Sequence, residues 1–289
     1  MHVPVMLGEC LEYLAIRPDG IYLDATAGLG GHTGAIAERL SSMSGGFVIA
    51  NDRDAESLEL ARQNVSQWAG RIRFHHGKFS ELATALASTG VEHTDGLLAD
   101  LGVSRYQLTE PGRGFSLMAD GPLDMRQDRG QTLAADEIVN FTPEKELADL
   151  IYRFGEERRS RRISRAIVRA RPIHSTQRLS SVIEAAVPRT SKLHPATQTF
   201  QALRMAVNDE QGELDQLLAV APDLVKQGGR IVILSFMSLE DRKVKQSFQT
   251  LARAGRAQIL TKHVIRPSSE ETRNNPASRS AKLRALEMR

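Results

Sequence analysis

One stretch constrains this chain more than any other: Ile21-Tyr22-Leu23, closed by Asp24 and followed by Gly28, Gly30 and Gly31. The apolar run reads as a buried strand. From Thr33 onward, Ile36, Ala37 and Leu40 take up a helical rhythm. Strand, glycine turn and helix is the unit with which an open parallel sheet offers a helix N-terminus to a nucleotide-like ligand. Dinucleotide-binding turns read Gly-x-Gly-x-x-Gly, the last glycine letting helix and strand pack closely. Gly28 and Gly30 fit the first two positions, but Thr33 stands at the third. An acid directly after the strand suits an amine or ribose hydroxyls better than a pyrophosphate. That favours S-adenosylmethionine, with a purely structural turn as the plain alternative.

The same alternation continues along the chain. Phe47–Ala50 reads as a second buried strand and runs into Asn51-Asp52-Arg53-Asp54. Asp52 falls where an acid about 20 residues beyond the turn accepts ribose hydroxyls, and Asp54 reads as the N-cap of the helix starting at Ala55. Ile72–His76 is a third strand, after which Phe79 either flanks an adenine or joins the core. Asp95–Asp100 is a fourth, ending in another acid. Four strands in this order predict an α/β doubly wound sheet with ligand groups at the strand carboxyl ends. Residues 101–130 then read as a long glycine- and proline-rich loop containing Arg113, Phe115 and Arg126, and residues from Ala134 to Asn208 read as helices only. A helix returns the chain to a fifth strand, Arg230–Phe236, with Gln258–His263 and Ala281–Leu286 as sixth and seventh around a polar loop, Pro267–Ser280. The expected organisation is a core of residues 1–108 and 209–289 around an all-helical insertion, 109–208.

Apolar content of 41% with 25% charged residues suits a globular chain. The single cysteine, Cys10, excludes an intramolecular disulfide and points to a reducing, cytoplasmic setting. No apolar run is long enough to span a membrane, no secretory leader is visible, and no metal site is expected. The net charge of +3 is unevenly spread. The helical stretch Glu156–Arg171 carries Arg158, Arg159, Arg161, Arg162, Arg165, Arg169 and Arg171. Arg162, Arg165 and Arg169 are three and four residues apart and share one stripe, as a contact to a phosphate backbone requires. A merely solvated face is the competing reading.

Longer motifs then carry a family resemblance. DGLLADLGVSRYQL, RGFS, DGPLDMR, FGEERRSRRISRAI, HPATQTFQALRMAVN, SFMSLEDR and NPASRSAKLR resemble the bacterial 16S ribosomal RNA cytosine-N4 methyltransferase family over essentially the whole chain. The resemblance implies a class I S-adenosylmethionine-dependent methyltransferase fold, with a helical substrate-recognition insertion between strands four and five. It implies that Gly30, Gly31 and His32 contact the methionine part of the cofactor, that Asp52 takes the ribose and that Phe79 flanks the adenine. Asp100 and Gln107 would complete the pocket. The implied partner is small-subunit ribosomal RNA or the assembled subunit, and a homodimer is left open. Two positions depart from the family pattern. Met237 stands where SFHSLEDR has histidine, so a donor or proton shuttle is lost there, and Arg105 replaces a second serine after Ser104.

The chemistry adds its own demands. An exocyclic amine is a weak nucleophile, and an acceptor for its N–H would stabilise the charge developing on it. Amino-methyltransferases place Asp/Asn-Pro-Pro-aromatic after strand four; Asp100-Leu101-Gly102-Val103 keeps only the acid. Asp100 is therefore the catalytic candidate, with a purely cofactor-binding role as its alternative. An unstacked cytidine needs aromatic faces and cations, for which Tyr106, Phe115 and Arg113 are candidates, while Phe236 reads as core. Two rival functions stand beside this reading. One is a nicotinamide-dependent dehydrogenase; the other is a non-catalytic RNA-binding or ribosome-assembly protein, which Met237 keeps in view.

Overall fold

The structure, a computed structural model, describes residues 4–40, 45–189 and 193–289. Its strands are β1 (Ile21–Asp24), β2 (Phe47–Asp52), β3 (Ile72–His76), β4 (Thr94–Asp100), β5 (Val225–Ser235), β6 (Ala257–Ile259) and β7 (Lys282–Met288). They form one sheet in the order β3-β2-β1-β4-β5-β7-β6. The pairings from β3 through to β5 are parallel, while β7 runs antiparallel between β5 and β6.

Side-chain alternation along each strand divides the core in two. Tyr22, Val48, Ala50, Leu98, Val232 and Leu234 point to one face, where Leu11, Leu14, Ile36 and Leu58 from three helices cover them. Leu23, Ile49, Leu97, Ala99, Ile231 and Ile233 point to the other, under Leu82, Leu86, Leu217, Val244 and Phe248. Both faces are therefore buried, which is why the strands read as continuous apolar runs. The chain moves from β1 to β2 on one side and to β4 on the other. The carboxyl ends of β1 and β4 thus flank the switch point, where such sheets bind ligands.

At the opposite edge, Asp95 anchors three strands. Its Oδ2 accepts the Ile21 amide at 2.9 Å, and its Oδ1 pairs with Arg17 and with Lys226. The segment before β7, expected as a polar loop, instead holds a helix, Ser269–Asn274, and a 3-10 turn, Pro276–Ser280. Ser268 starts that helix by accepting the Glu271 amide, an N-cap that a reading by apolar periodicity passes over.

The chain divides into two units, Met1–Gly102 with Gln211–Arg289, and Val103–Glu210. The first contains the sheet. The second is built on helices, among them Ala135–Phe141, Glu144–Gly155, Ser160–Ala170, Thr176–Ala186 and Thr197–Val207. They enclose a core of their own around Leu147, Ile151, Ile163, Ile167, Leu179 and Leu203.

The stretch expected as a loop before these helices is ordered by its arginines. Arg113 is 1% exposed, and its guanidinium donates to the carbonyls of Arg126 and Gln127 at 2.9 Å. Arg126 in turn pairs with Asp124 and donates to the Gln131 carbonyl. Two of the residues that the sequence offers for RNA contact lie inside this unit: Arg113 is an internal hydrogen-bonding hub and Phe115 is a core side chain. Burying a guanidinium demands acceptors, and the loop's own carbonyls supply them.

Candidate cofactor and active site

The site starts at the end of β1. Asp24 is 1% exposed; its Oδ1 accepts the Thr26 amide at 3.2 Å and its Oδ2 accepts the Thr33 hydroxyl at 2.6 Å. Thr33, at the position where a dinucleotide turn has glycine, is thus the tie between helix and strand. Thr26 Oγ1 accepts the Asp100 amide at 2.6 Å, and the Ala27 amide bonds to the Asn51 carbonyl at 2.8 Å. The turn is thereby fixed to β4 on one side and β2 on the other.

Two glycines are required by what surrounds them. Gly30 has φ +88°, and a Cβ there would sit 2.9 Å from the Val65 side chain. At Gly31 a Cβ would come within 2.5 Å of Pro4. The helix Gly31–Arg39 begins without a side-chain cap, leaving its first-turn amides to other acceptors. The Gly28 amide is already committed: it donates to Asp52 Oδ2 at 2.7 Å, while Asp52 Oδ1 accepts the Asp54 amide at 2.9 Å. Each carboxylate oxygen keeps a second lone pair for a hydroxyl.

His32 and Asp100 complete the group. His32 is buried, and its Nε2 lies 3.0 Å from the Val5 carbonyl. A carbonyl can only accept, so Nε2 carries the proton and Nδ1 faces Asp100 Oδ2 at 3.8 Å. Asp100 Oδ1 is buried without a hydrogen-bond partner. Burial pushes the Asp100 carboxyl up to about 6; His32 pulls it down, and Asp24 and Glu240 push it further up. Burial likewise raises Asp52 to about 6 against the amides of Asp54 and Gly28, and raises Asp24 against His32 and its hydrogen bonds. Three acids at neighbouring strand ends thus gather around one histidine, His32, which offsets the cost of burial for Asp100 and Asp24 only in part. A ligand carrying positive charge would return these groups to ionisation.

Beyond β3, the amides of Phe79 and Ser80 donate to Glu213 Oε2 at 3.0 and 3.4 Å, and the Lys78 amide donates to Glu81 Oε2 at 2.8 Å. Phe79 is half-buried against the second core cluster. Asn51 locks three strand ends together. Its Nδ2 donates to the carbonyls of Ala25 and Gly77, and its Oδ1 accepts from His75 Nδ1 at 2.9 Å. Neither Asn51 nor Glu213 was expected from sequence. Asn51 left one trace, an amide side chain at the end of a buried run, where it must be hydrogen-bonded. Glu213 left none, being separated from Phe79 by 134 positions.

Gly30, Gly31, His32, Asp52, Phe79 and Asp100 all belong to the sheet unit and lie at its carboxyl edge. Gln107 belongs to the helical unit, where its Oε1 accepts the Ser104 amide at 2.9 Å in a reciprocal cap with the Ser104 hydroxyl. Tyr106, in the same short helix, is half-buried. Arg162 and Arg169 are exposed, and so is Arg165, whose Nε lies 3.5 Å from Glu144. Met237 follows β5; its amide and that of Phe236 donate to Glu240 Oε2 at 3.1 Å, which starts the helix Ser238–Arg253. No cluster of metal-ligating side chains occurs among the described residues.

A doubly wound sheet with a buried acid at the end of β1, half-buried acids at the ends of β2 and β4, and its first turn amide filled internally, is the arrangement of a class I S-adenosylmethionine-dependent methyltransferase. Residues 1–289 match the sequence model of the MraW methylase family, and the chain belongs to that family. It is 66% identical over 290 residues to a protein named ribosomal RNA small subunit methyltransferase H from Solibacter usitatus (strain Ellin6076), covering 100% of both chains. It is 50% identical to the protein of the same name from Acidobacterium capsulatum, covering 99% of this chain and 98% of that one. A crystal structure from Clostridium thermocellum, provisionally described as an rRNA-methylase, shares the fold at a TM-score of 0.51 with 10% identity and full coverage of both chains.

Proposed function

We infer that the protein methylates the exocyclic N4 amine of a cytidine in small-subunit ribosomal RNA. The observation that carries this reading is the buried, unpartnered Asp100 Oδ1 at the switch point of the sheet. When bound, S-adenosylmethionine supplies an electrophilic methyl group on a sulfonium. Asp100, with His32 beside it, would face the methionine part of the cofactor and accept from its ammonium; Asp52 would accept from its ribose, and Phe79 would lie against its adenine. Asp100 Oδ1 would accept an N–H of the incoming amine, localising the nitrogen lone pair and balancing the positive charge that grows on it during methyl transfer. The surplus amine proton would pass to this carboxylate, whose affinity for it is raised by burial. Holding the amine near the methyl carbon supplies much of the remaining acceleration.

The helical unit serves substrate recognition, with Arg162, Arg165 and Arg169 on the phosphate backbone and Tyr106 as a stacking face. Such a substrate puts the work in the cytoplasm, and no helix of the described residues is long and apolar enough to cross a membrane. Mass mapping of small-subunit RNA from cells with and without the gene tests the reading. It expects one cytidine methyl to disappear from the base, and an unchanged methylation pattern overturns it.

A further inference from the structure

The motif NPASRSAKLR, residues 275–284, has no part in the cofactor pocket, yet the topology brings its start to the same edge of the sheet. Lys282 opens β7 opposite Ser235, the last residue of β5, whose Leu234 pairs with Asp100. An isolated bridge from Ile265 to Leu283 sets Arg266 beside Lys282. The segment between them folds back over this edge as the helix Ser269–Asn274 and the turn Pro276–Ser280. It is pinned there: Glu271 Oε1 accepts the Met6 amide at 3.2 Å, and the neighbouring Val5 carbonyl takes the His32 proton. The segment is therefore two hydrogen bonds away from the glycine turn.

Its surface is cationic. Lys262, Arg266, Arg273 and Arg279 are all exposed, and none of their side chains has a hydrogen bond or ion pair among the described residues. The acids of the segment are Glu270 and Glu271, and Glu271 is already engaged by Met6 and Asn275. Elsewhere in the same unit, Arg230, Arg256 and Arg284 each face a carboxylate. Arg284 and Lys282 also tie β7 to Asp241 and Ser238 of the motif SFMSLEDR, so the base of the segment is held firmly.

We propose that Arg266, Arg273 and Arg279 form a phosphate-binding rim on the sheet unit, which grips the sugar–phosphate backbone of the RNA beside the methyl-transfer site. The proposal rests on the RNA-methylating reading and adds a contact surface separate from the arginine helix. A nucleotide drawn toward Asp100 carries its flanking phosphates past this edge. Guanidinium forks match phosphate geometry, and unpaired ones bind without first breaking an internal ion pair.

The test compares the wild-type protein with Arg266→Gln/Arg273→Gln/Arg279→Gln and with the corresponding triple change to Lys. Binding to deproteinised 16S RNA is measured across a salt series, and S-adenosylmethionine affinity is measured by calorimetry. The glutamine variant should bind RNA more weakly and flatten the slope of log affinity against log salt by about 2, three contacts at roughly 0.7 each on single-stranded RNA. Cofactor affinity should stay within twofold, and the lysine variant should keep the wild-type slope. An unchanged slope for the glutamine variant overturns the rim. A loss seen only with assembled subunits, and not with naked RNA, overturns it in favour of an acidic protein partner. Wild-type protein that binds the cofactor but neither 16S RNA nor assembled small subunits at any salt concentration overturns the RNA-methylating reading itself.

Discussion

Asp52 Oδ2 holds the Gly28 amide at 2.7 Å, so the glycine turn is closed by a carboxylate of its own chain. In a dinucleotide site the backbone of this turn approaches the pyrophosphate closely. Here an anion already occupies the donor, and a phosphate brought to it would meet the charges of Asp52 and Asp24. The geometry therefore selects against the nicotinamide reading as well as for an uncharged ribose. Asp52 does two jobs at once, shaping the turn and presenting its remaining lone pairs.

The titration of this acid group gives a first prediction. Asp52 and Asp100 have folded values of about 6, above the ordinary carboxyl value of 3.8. Between those values the folded state binds more protons than the unfolded one, so these groups favour folding at low pH and lose that contribution as pH rises toward 6. A cationic ligand prefers them ionised. Affinity for S-adenosylmethionine should therefore fall as pH drops from 7 to 5, while the ligand-free protein gains stability from these groups over the same interval. Calorimetric titrations at several pH values check the first trend and thermal melts check the second. A cofactor affinity independent of pH would remove the acids from its binding site.

Asp100→Asn keeps the shape of the side chain and removes its charge. Turnover at saturating cofactor should drop at least about tenfold, roughly 1.4 kcal/mol of barrier. Single-turnover methylation measures this directly, and an unchanged rate would confine Asp100 to cofactor binding.

Glu213 orders the turn that carries Phe79, and Glu213→Ala should raise the KM for the cofactor. Losing acceptors for two backbone amides costs about 1 kcal/mol, or roughly fivefold. The kcat at saturation should stay within about twofold, because no reacting atom is touched, and Glu213→Gln should recover part of the loss through its amide oxygen. A fall in kcat with KM unchanged would contradict the positioning role.

The arginine helix and Arg113 should separate cleanly. Changing Arg162, Arg165 and Arg169 to glutamine should weaken RNA binding and lower its salt dependence while leaving cofactor affinity alone. Arg113→Met should instead lower the melting temperature, since it leaves the Arg126 and Gln127 carbonyls buried without their donor at a cost of about 1–3 kcal/mol each. Salt-series binding and thermal melts on both variants check the pair. A salt slope unaltered in the triple variant would assign those arginines to solvation.

Much of this site could be read from the chain because strand ends are local. Asp24, Asp52 and Asp100 each close an apolar run, and the run itself predicts that the acid sits at a carboxyl edge. The turn at Gly30 and Gly31 was legible for the same reason. What escaped is what depends on distant partners. The side chain of Arg113, amid glycines and prolines, looks like a surface cation until Arg126 and Gln127 are seen to surround it. Glu213 looks like one more acid on a helix face until that helix lies beside Phe79. Short capped elements such as Ser269–Asn274 escaped because apolar periodicity needs more length than they have.

Asp100 and Leu234 are neighbours across β4 and β5, although the entire helical unit separates them in sequence. That arrangement has a consequence for how the chain folds. Closing a flexible connection about tenfold longer than a minimal crossover costs only roughly 2 kcal/mol more in chain entropy, so the sheet tolerates so long an excursion thermodynamically. The burden falls on speed, because long-range pairing waits for rare encounters. A helical unit with its own core, closed largely by local contacts, can collapse early and spare the chain most of that search. The central strand pair, and with it the group around Asp100, is then expected to form last, once the inserted unit has already folded.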